Sequence, residues 1–314
     1  MSSVRVDAVD AQTAPDETLL AIHEIERACL AEMVPGEPGR DAAEAIAFLR
    51  HPPATQRNYH WLAEGAATAS LFVHGPAAAF MVLYVAPGAR RGGVGSTLLD
   101  GVLARCRTLG VRRLYASHAT DAGAAFARHV GAVDEQREVR SLLDLASARL
   151  PEPQVPAGWQ LATWLRRVPD EYLASFARAR AAMDDAPTPD GMEIPEPDPE
   201  RIRASEESLA QRQRQMRLTV ALRNGEIGAF TELRLSRGAE AAFTDDTGTV
   251  SAHRGLGLAT AVKLESLRRL RADQPEVWAV TTSNDETNAA MLAINRKLGF
   301  VPTATFNRAA LALG

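Results

Sequence analysis

The stretch that decides the fold of this chain reads Thr247-Gly-Thr-Val-Ser-Ala-His-Arg-Gly-Leu-Gly-Leu-Ala-Thr-Ala-Val-Lys263. It has the pattern of a strand end, a tight basic glycine turn and a helix that follows without a break. Such a turn leaves backbone N–H groups unpaired at the helix N-terminus, where they and the helix dipole attract phosphate oxygens. Arg254 adds a permanent positive charge, and Gly255 and Gly257 allow a ligand to approach the main chain closely. The sequence therefore predicts an anion-binding turn.

The same device occurs earlier in the chain, as Val85-Ala-Pro-Gly-Ala-Arg-Arg-Gly-Gly-Val-Gly-Ser96. Three positions of the two turns align: Arg90 with Arg254, Gly93 with Gly257, and Gly95 with Ala259. Two copies of one phosphate-binding pattern indicate that the chain contains the same structural unit twice.

A second landmark supports this tandem repeat. The arginine of the turn recurs after 164 residues (254 − 90), and the glycine that ends a later helix, Gly131 or Gly299, recurs after 168 (299 − 131). A near-constant offset indicates duplication of one fold. The proline-rich stretch Pro151–Gly158 is typical of a linker. We therefore predict one domain over residues 1–150, a linker over 151–158 and a second domain over 159–314.

The composition is that of a globular chain with room for two cores: 314 residues, 46% hydrophobic and 24% charged. A net charge of −4 argues against nucleic acid as a partner. The sequence has neither an apolar run long enough to span a membrane nor the apolar core of a signal peptide, so we expect a cytoplasmic protein. Cys29 and Cys106 are predicted to be reduced core residues. The seven histidines lack metal-ligand spacing, and no metal site is predicted.

Each copy predicts the same element order: strand, two helices, three antiparallel strands, glycine turn, helix, strand, helix and strand. This order resembles the GCN5-related N-acetyltransferase (GNAT) fold, an α+β fold whose mixed, mostly antiparallel sheet is flanked by helices. The [Gln/Arg]-x-x-Gly-x-[Gly/Ala] turn of that family stands here as Arg90-Arg-Gly-Gly-Val-Gly95 and as Arg254-Gly-Leu-Gly-Leu-Ala259. The duplication is similar to that of the actinobacterial tandem acetyltransferases, a group that includes mycothiol synthase. The resemblance covers nearly the whole chain and implies an N-acetyltransferase.

The resemblance implies acetyl-CoA as the cofactor, with its pyrophosphate on the turn and its pantetheine in the gap where the fourth strand splays from the fifth. In the N-terminal copy the implied contacts are Val85, Arg90, Arg91, Gly92, Gly93, Val94, Gly95 and Ser96. In the C-terminal copy they are Thr249, Val250, Arg254, Gly255, Leu256, Gly257, Leu258, Ala259, Asn284 and Asn288.

The two asparagines resemble those with which family members bind the pantetheine amides, although Asn288 could equally be a helix N-cap. The N-terminal copy has no asparagine in the matching stretch, residues 117–123. We therefore predict that the C-terminal copy is catalytic and that the N-terminal copy is a degenerate, supporting domain.

Acyl transfer to an amine requires a base for the ammonium and hydrogen-bond donors for the oxyanion. Main-chain N–H groups near Thr249 and Val250 are the expected donors. Glu232 is our first candidate for the base and Asp246 the second. Strand alternation predicts that Asp245 and Asp246 point to opposite faces, so that at most one of them faces the cleft.

The expected acceptor is a small-molecule amine, for which Asp184 and Asp185 would provide a cationic-amine pocket. No cysteine lies in the motifs to carry an acyl-enzyme, so we predict direct transfer in a ternary complex by a monomer or homodimer. A non-catalytic acyl-CoA-binding module and a protein N-terminal acetyltransferase are the alternatives.

One departure from the family pattern concerns the acid for the leaving thiolate. Many members place a tyrosine four residues before the closing glycine, where this chain has Asn295 in the second copy and Ala127 in the first. Asparagine is not an acid of this kind, so another group or water protonates the thiolate, or it leaves unprotonated. Lys263, two turns into its helix, is expected to be solvated.

Overall fold

The computed structural model describes residues 5–53, 56–73, 75, 77–181, 196–236 and 238–313. They form two compact units. The described residues of unit 1 lie within Met1–Glu138 and Ala304–Gly314, and those of unit 2 lie within Val139–Pro187 and Pro195–Thr303. Among the helices of these ranges, none combines the length and the apolar character that crossing a bilayer requires.

The first copy of the repeat contains six strands and four helices among the described residues. In chain order they are β1 (Asp7–Val9), α1 (Asp16–Met33), α2 (Ala42–Arg50), β2 (Arg57–Ala63), β3 (Ala67–Val73), β4 (Ala78–Val85), α3 (Val94–Leu109), β5 (Arg113–His118), α4 (Asp121–His129) and β6 (Val133–Asp144). A short 3-10 helix, Pro87–Ala89, lies between β4 and α3.

The second copy repeats this order. Its elements are β7 (Gln160–Leu165), α5 (Asp170–Ala181), α6 (Pro199–Gln211), β8 (Arg214–Arg223), β9 (Glu226–Ser236), β10 (Ala241–Thr249), α7 (Leu258–Asp273), β11 (Ala279–Asp285), α8 (Ala289–Leu298) and β12 (Val301–Ala312). A 3-10 helix, Ser251–His253, again precedes the helix that follows the glycine turn.

The strand pairing of each unit confirms the predicted α+β class with a mostly antiparallel sheet. In unit 1 the strand order is β1-β2-β3-β4-β5, followed by the unit's parts of β12 and β6. In unit 2 the unit's parts of β12 and β6 are followed by β11-β10-β9-β8-β7. Strand β4 runs parallel to β5, and β10 runs parallel to β11; each pair is hydrogen-bonded at one end only.

The boundaries between the units fall inside β6 and β12, the last strand of each copy. Residues 307–312 of β12 pair antiparallel with residues 113–118 of β5 within unit 1. Within unit 2, Leu145 donates its backbone N–H to the carbonyl of Trp278. Each unit is therefore completed by a segment from the other half of the sequence. The boundaries drawn from the repeat, residues 1–150 and 159–314, stay a prediction about the two sequence copies.

The helix after each turn forms the core of its unit. In α3 the buried residues Leu98, Val102 and Cys106 recur every fourth position, so they lie on one face, and the helix packs on β2, β3 and β4. In α7 a similar face, which includes Leu258 and Val262, packs on β8, β9 and β10. Burial of a large aliphatic side chain contributes about 1.5–3 kcal/mol, and these faces hold each turn against its sheet.

Candidate acetyl-CoA site and carboxylate cluster

A gap opens between β4 and β5 in unit 1. The two strands pair from Ala78–Arg113 to Met81–Ala116 and then part, although β4 continues to Val85 and β5 to His118. A cavity of about 350 Å³ lies there, lined by both strand ends, by the turn at residues 90–96 and by α4. The cavity is large enough for an extended, mainly apolar ligand arm.

The turn at the mouth of this cavity has the backbone that the sequence predicts. Gly93 caps α3 in the left-handed region with φ of 84°, and no side chain caps the helix, so its first N–H groups face outward. A Cβ on Gly95 would lie 3.4 Å from Val85 Cγ2, at the near limit of ordinary van der Waals contact, which agrees with Ala259 at the aligned position of the second copy. Arg90 donates from Nε to the Val85 carbonyl at 3.2 Å, and its guanidinium forms an ion pair with Glu32.

Cys29, predicted to be a core residue, also lines this cavity. Its Sγ donates to the Val85 carbonyl at 3.4 Å, and burial raises the pKa of the thiol. A protonated thiol is a weak nucleophile, which agrees with direct transfer. The sequence pattern missed this residue because α1 and β4 are 56 residues apart and only the folded chain brings them together.

The second turn repeats the first one in detail. Gly257 caps α7 with φ of 77°, and again no side chain caps the helix. Gly255 has φ of 80° where Arg91 has φ of 65°, so both copies need a left-handed residue there. Arg254 Nε lies 3.4 Å from the Thr249 carbonyl, as Arg90 lies against Val85.

The gap of the second copy lies between β10 and β11. These strands pair from Ala241–Ala279 to Thr244–Thr282, and β10 then continues alone to Thr249. The backbone N–H of Val250 donates to the Gly228 carbonyl at 2.9 Å. Our expectation that Val250 offers this N–H to an oxyanion is therefore wrong, because the neighbouring strand already accepts it.

Two asparagines of the second copy have internal partners. Asn288 accepts from the Met291 N–H at 3.1 Å and caps α8, as the alternative interpretation predicts. Asn284 Oδ1 accepts from Asn295 Nδ2 at 2.7 Å. Asn295 is 2% exposed, and its Oδ1 has no hydrogen-bond partner among the described residues. The sequence identified Asn295 only as a missing tyrosine, and the structure adds its pairing and burial.

Three carboxylates meet where β10 leaves β11. Asp245 and Asp246 occupy a β-bulge between Thr244 and Thr247, opposite Glu232 of β9. Oxygens of the three groups lie within 4.8 Å of one another. The expectation that Asp245 and Asp246 point to opposite faces is wrong, because a bulge sets two residues against one and breaks the alternation.

Two arginines hold the carboxylate cluster of Glu232, Asp245 and Asp246. Arg180, near the end of α5, reaches Glu232 at 2.9 Å and Asp246 at 2.5 Å. Arg234 reaches Glu232 at 2.8 Å and Asp245 at 2.7 Å. Among the described residues, three carboxylates against these two guanidinium groups leave one negative charge when all five groups are ionised.

The surroundings of the cluster lower the pKa of Glu232 and raise the pKa values of Asp245 and Asp246. Burial raises the pKa of Glu232, but Arg234 and Arg180 outweigh it, and the pKa lies below its usual value. Burial raises the pKa of Asp245 to about 7, because the attraction of Arg234 does not compensate for it and Glu232 and Asp246 repel its charge. The pKa of Asp246 is raised for the same reasons, mainly burial. Asp245 thus has the proton affinity of a base that works near neutral pH.

Glu232 and Lys263 are more buried than the sequence suggests. Glu232 is 1% exposed and Lys263 3%, so the prediction of a solvated lysine is wrong. The ammonium of Lys263 lies 5.4 Å from the ring centre of Phe300, and burial lowers its pKa to about 8. Asp184 and Asp185, the predicted acceptor contacts, lie outside the described residues.

Each unit has chemical groups that are suited to binding acetyl-CoA. Each has a helix N-terminus without a side-chain cap beside an arginine, which suits a pyrophosphate. Unit 1 adds the cavity, and unit 2 adds a buried amide oxygen, Asn295 Oδ1, that lacks a donor. The residues present therefore fit this cofactor.

Comparison with known proteins agrees with this geometry. Residues 19–132 match the model of the acetyltransferase (GNAT) family. A tandem GNAT protein from the clavulanic acid biosynthesis pathway, solved without AcCoA, superposes with a TM-score of 0.84 at 26% identity, covering 99% of both chains. A GCN5-related N-acetyltransferase from Sphaerobacter thermophilus has a TM-score of 0.73 at 17% identity, covering 98% of this chain and 95% of its own.

A GCN5-related N-acetyltransferase from Kribbella flavida has a TM-score of 0.55 at 17% identity, over 88% of this chain and 98% of its own. A search of curated proteins gave no significant match. The family model and the full-length tandem likeness confirm the resemblance seen in the sequence. Residues 19–132 therefore match the GNAT acetyltransferase family, which uses acetyl-CoA, and the whole chain is similar to a tandem GNAT protein.

Proposed function

We propose that the protein transfers the acetyl group of acetyl-CoA directly to a small cationic amine, and that the C-terminal copy carries out the reaction. The observation that carries this proposal is the carboxylate cluster at the β10 bulge. Its bulge begins at Asp245, the residue after the last β10–β11 pair, so a base lies at the inner end of the gap between the strands.

In the N-terminal copy, the strands that correspond to β9 and β10 are β3 and β4, and they carry no carboxylate. There the β3–β4 ladder runs without a bulge, and Ser70 lies opposite Val82 where Glu232 lies opposite Asp245 and Asp246. Unit 1 thus offers a cleft for acetyl-CoA without a carboxylate at this place. This difference supports a catalytic second copy and a binding or supporting role for the first.

The charge of the cluster selects the acceptor. One uncompensated negative charge attracts an ammonium, and the 23% exposed side chain of Asp245 is accessible to it. Acetyl-CoA supplies an activated thioester and a thiolate leaving group. Asp245 accepts a proton from the ammonium, directly or through water, and the neutral amine can then form the new C–N bond. Arg180 and Arg234 hold the cluster in place during this transfer.

The second proton leaves the nitrogen as the C–S bond breaks. Asn295 occupies the position of the family's acid and has no acidic proton to give. The thiolate, with an ordinary pKa near 8–9, either leaves as the anion or takes that proton through water. No acyl-enzyme is needed, because the described cysteines are buried and Cys29 is held as the thiol.

A matched pair of variants tests which copy works. Ser96 and Thr260 are the third residues of α3 and α7, and both are partly exposed. A glutamate in the first turn suits a helix dipole, so Ser96→Glu and Thr260→Glu should fold, yet each repels phosphate from its own turn.

The measurements are acetyl-CoA binding by calorimetry and release of free CoA with a panel of small diamines. We expect Thr260→Glu to abolish turnover and Ser96→Glu to retain it. The opposite pattern would assign catalysis to the N-terminal copy. Binding without turnover on any amine would favour a non-catalytic acyl-CoA-binding module, and turnover on peptide N-termini alone would favour a protein acetyltransferase. The cytoplasmic location and the monomer or homodimer state stay predictions.

A further inference from the structure

One buried hydrogen-bond acceptor of the C-terminal copy, the Asn295 Oδ1 atom, has no donor among the described residues. The hydrogen bond from Asn295 Nδ2 to Asn284 Oδ1, 2.7 Å long, fixes the orientation of the Asn295 amide. Its Oδ1 consequently points away from Asn284 and finds no donor among the described residues, although the side chain is 2% exposed. Buried carbonyl oxygens are almost always hydrogen-bonded, because an unmatched one destabilises the folded state. The unmatched, buried Asn295 Oδ1 is therefore suited to accept a hydrogen bond from a ligand.

The position of the Asn284–Asn295 pair indicates which part of a ligand could reach the Asn295 Oδ1 atom. Asn284 lies two residues beyond Thr282, the last residue of β11 that pairs with β10, so the pair flanks the inner end of the gap. The phosphate turn begins beyond Thr249, five residues from the same branch point, which is roughly 16 Å of extended strand. A ligand with phosphates on the turn would reach Asn295 only with the arm that ends in its thioester.

That arm has few donors. A thioester has none, and the arm's N–H donors are its two amide groups, of which one lies close to the sulfur. We propose that Asn295 Oδ1 accepts a hydrogen bond from this amide of the pantetheine arm. Asn295 thus binds the cofactor at the position where the family's tyrosine would donate a proton. This proposal rests on acetyl-CoA binding in the C-terminal copy, as proposed above.

The test uses full-length protein with Ser96→Glu, which removes the N-terminal cleft from the titration. Asn295→Leu replaces both polar atoms by a side chain of similar size. We expect acetyl-CoA and free CoA to bind about tenfold more weakly, because one buried hydrogen bond is lost. Adenosine 3′,5′-bisphosphate, which lacks the arm, should bind as in the parent. The melting temperature without ligand should change little, because removal of the unmatched acceptor offsets the loss of the hydrogen bond to Asn284.

Three results would overturn the proposal. Unchanged binding of acetyl-CoA would show that Asn295 makes no contact, and equal weakening of the bisphosphate would show a general distortion. Weakening of free CoA alone would assign the acceptor to the thiol. If leucine prevents folding, Asn295→Ala gives the same comparison. Absence of any acetyl-CoA binding in the Ser96→Glu parent would instead refute the proposed function, and this inference with it.

Discussion

Asp245 and Asp246 are consecutive residues of β10, yet both carboxylates lie within 4.8 Å of Glu232 on the neighbouring strand. The bulge that brings them together also divides their partners, because Arg234 pairs with Asp245 and Arg180 with Asp246. One additional residue in a strand thus gives two neighbouring carboxylates different arginine partners.

Asp245→Asn should lower the rate of acetyl transfer by about 10²- to 10⁴-fold, because it removes the proposed base. In the wild type, kcat/KM should rise with pH to a plateau, with a midpoint near the pKa of about 7 that burial gives Asp245. The measurement is CoA release against pH for both proteins. Asp246→Asn is the matched control, since it removes the same charge from the same bulge. An equally large loss in the control would point to electrostatics rather than to a base at Asp245.

The same carboxyl should make stability depend on pH. Burial raises the pKa of Asp245 from 3.8 to about 7, so its contribution to stability is complete below about pH 4 and is lost as pH rises through 7. The Asp245→Asn variant has no carboxyl group at this position, so its stability does not fall with pH for this reason. The free energy of unfolding of the variant, relative to that of the wild type, should therefore increase from pH 5 to pH 8, on the order of a few kcal/mol. Denaturant unfolding at both pH values measures the difference, and a pH-independent difference would contradict the raised pKa.

Gly228→Ala should destabilise the C-terminal copy. An added Cβ would lie 2.1 Å from Trp159 and 3.0 Å from His253, which stack edge to face. Overpacking of this kind costs about 1–3 kcal/mol. Because His253 belongs to the 3-10 helix before the phosphate turn, acetyl-CoA binding at that turn should also weaken.

Thermal unfolding and calorimetry measure both effects of Gly228→Ala. Gly88→Ala is the control, since a Cβ there meets nothing within 4 Å. A Gly228→Ala protein as stable as this control would show that Trp159 moves aside without cost.

Glu32→Gln should strengthen acetyl-CoA binding to the N-terminal cleft. Glu32 forms an ion pair with Arg90, and the two side chains are 41% and 27% exposed, so the pair is weak and competes with phosphate. We expect about a two- to fivefold gain in affinity on a Thr260→Glu background, where only this cleft binds. Glu24→Gln makes the same charge change on an exposed position of α1 and should have little effect. Equal gains in both variants would indicate net charge as the cause.

The sequence by itself determined the repeat, the element order and the two turns. Gly93 and Gly257 have the left-handed backbone that their pattern predicts, and each is followed by the predicted helix, which buries one face. These features are local, because a positive φ favours glycine and a helix face repeats every three to four residues.

Only the tertiary structure decided the chemistry of the site. The bulge at Asp245 depends on how β10 pairs with β9, and the entry of Cys29 into the first cleft depends on where α1 packs. The burial of Lys263 and the pairing of Asn295 with Asn284 likewise depend on residues distant in sequence. The physical reason is that burial, strand register and charge pairing are properties of the folded surroundings. A residue's neighbours in the chain constrain its backbone far more than they constrain its pKa or its partners.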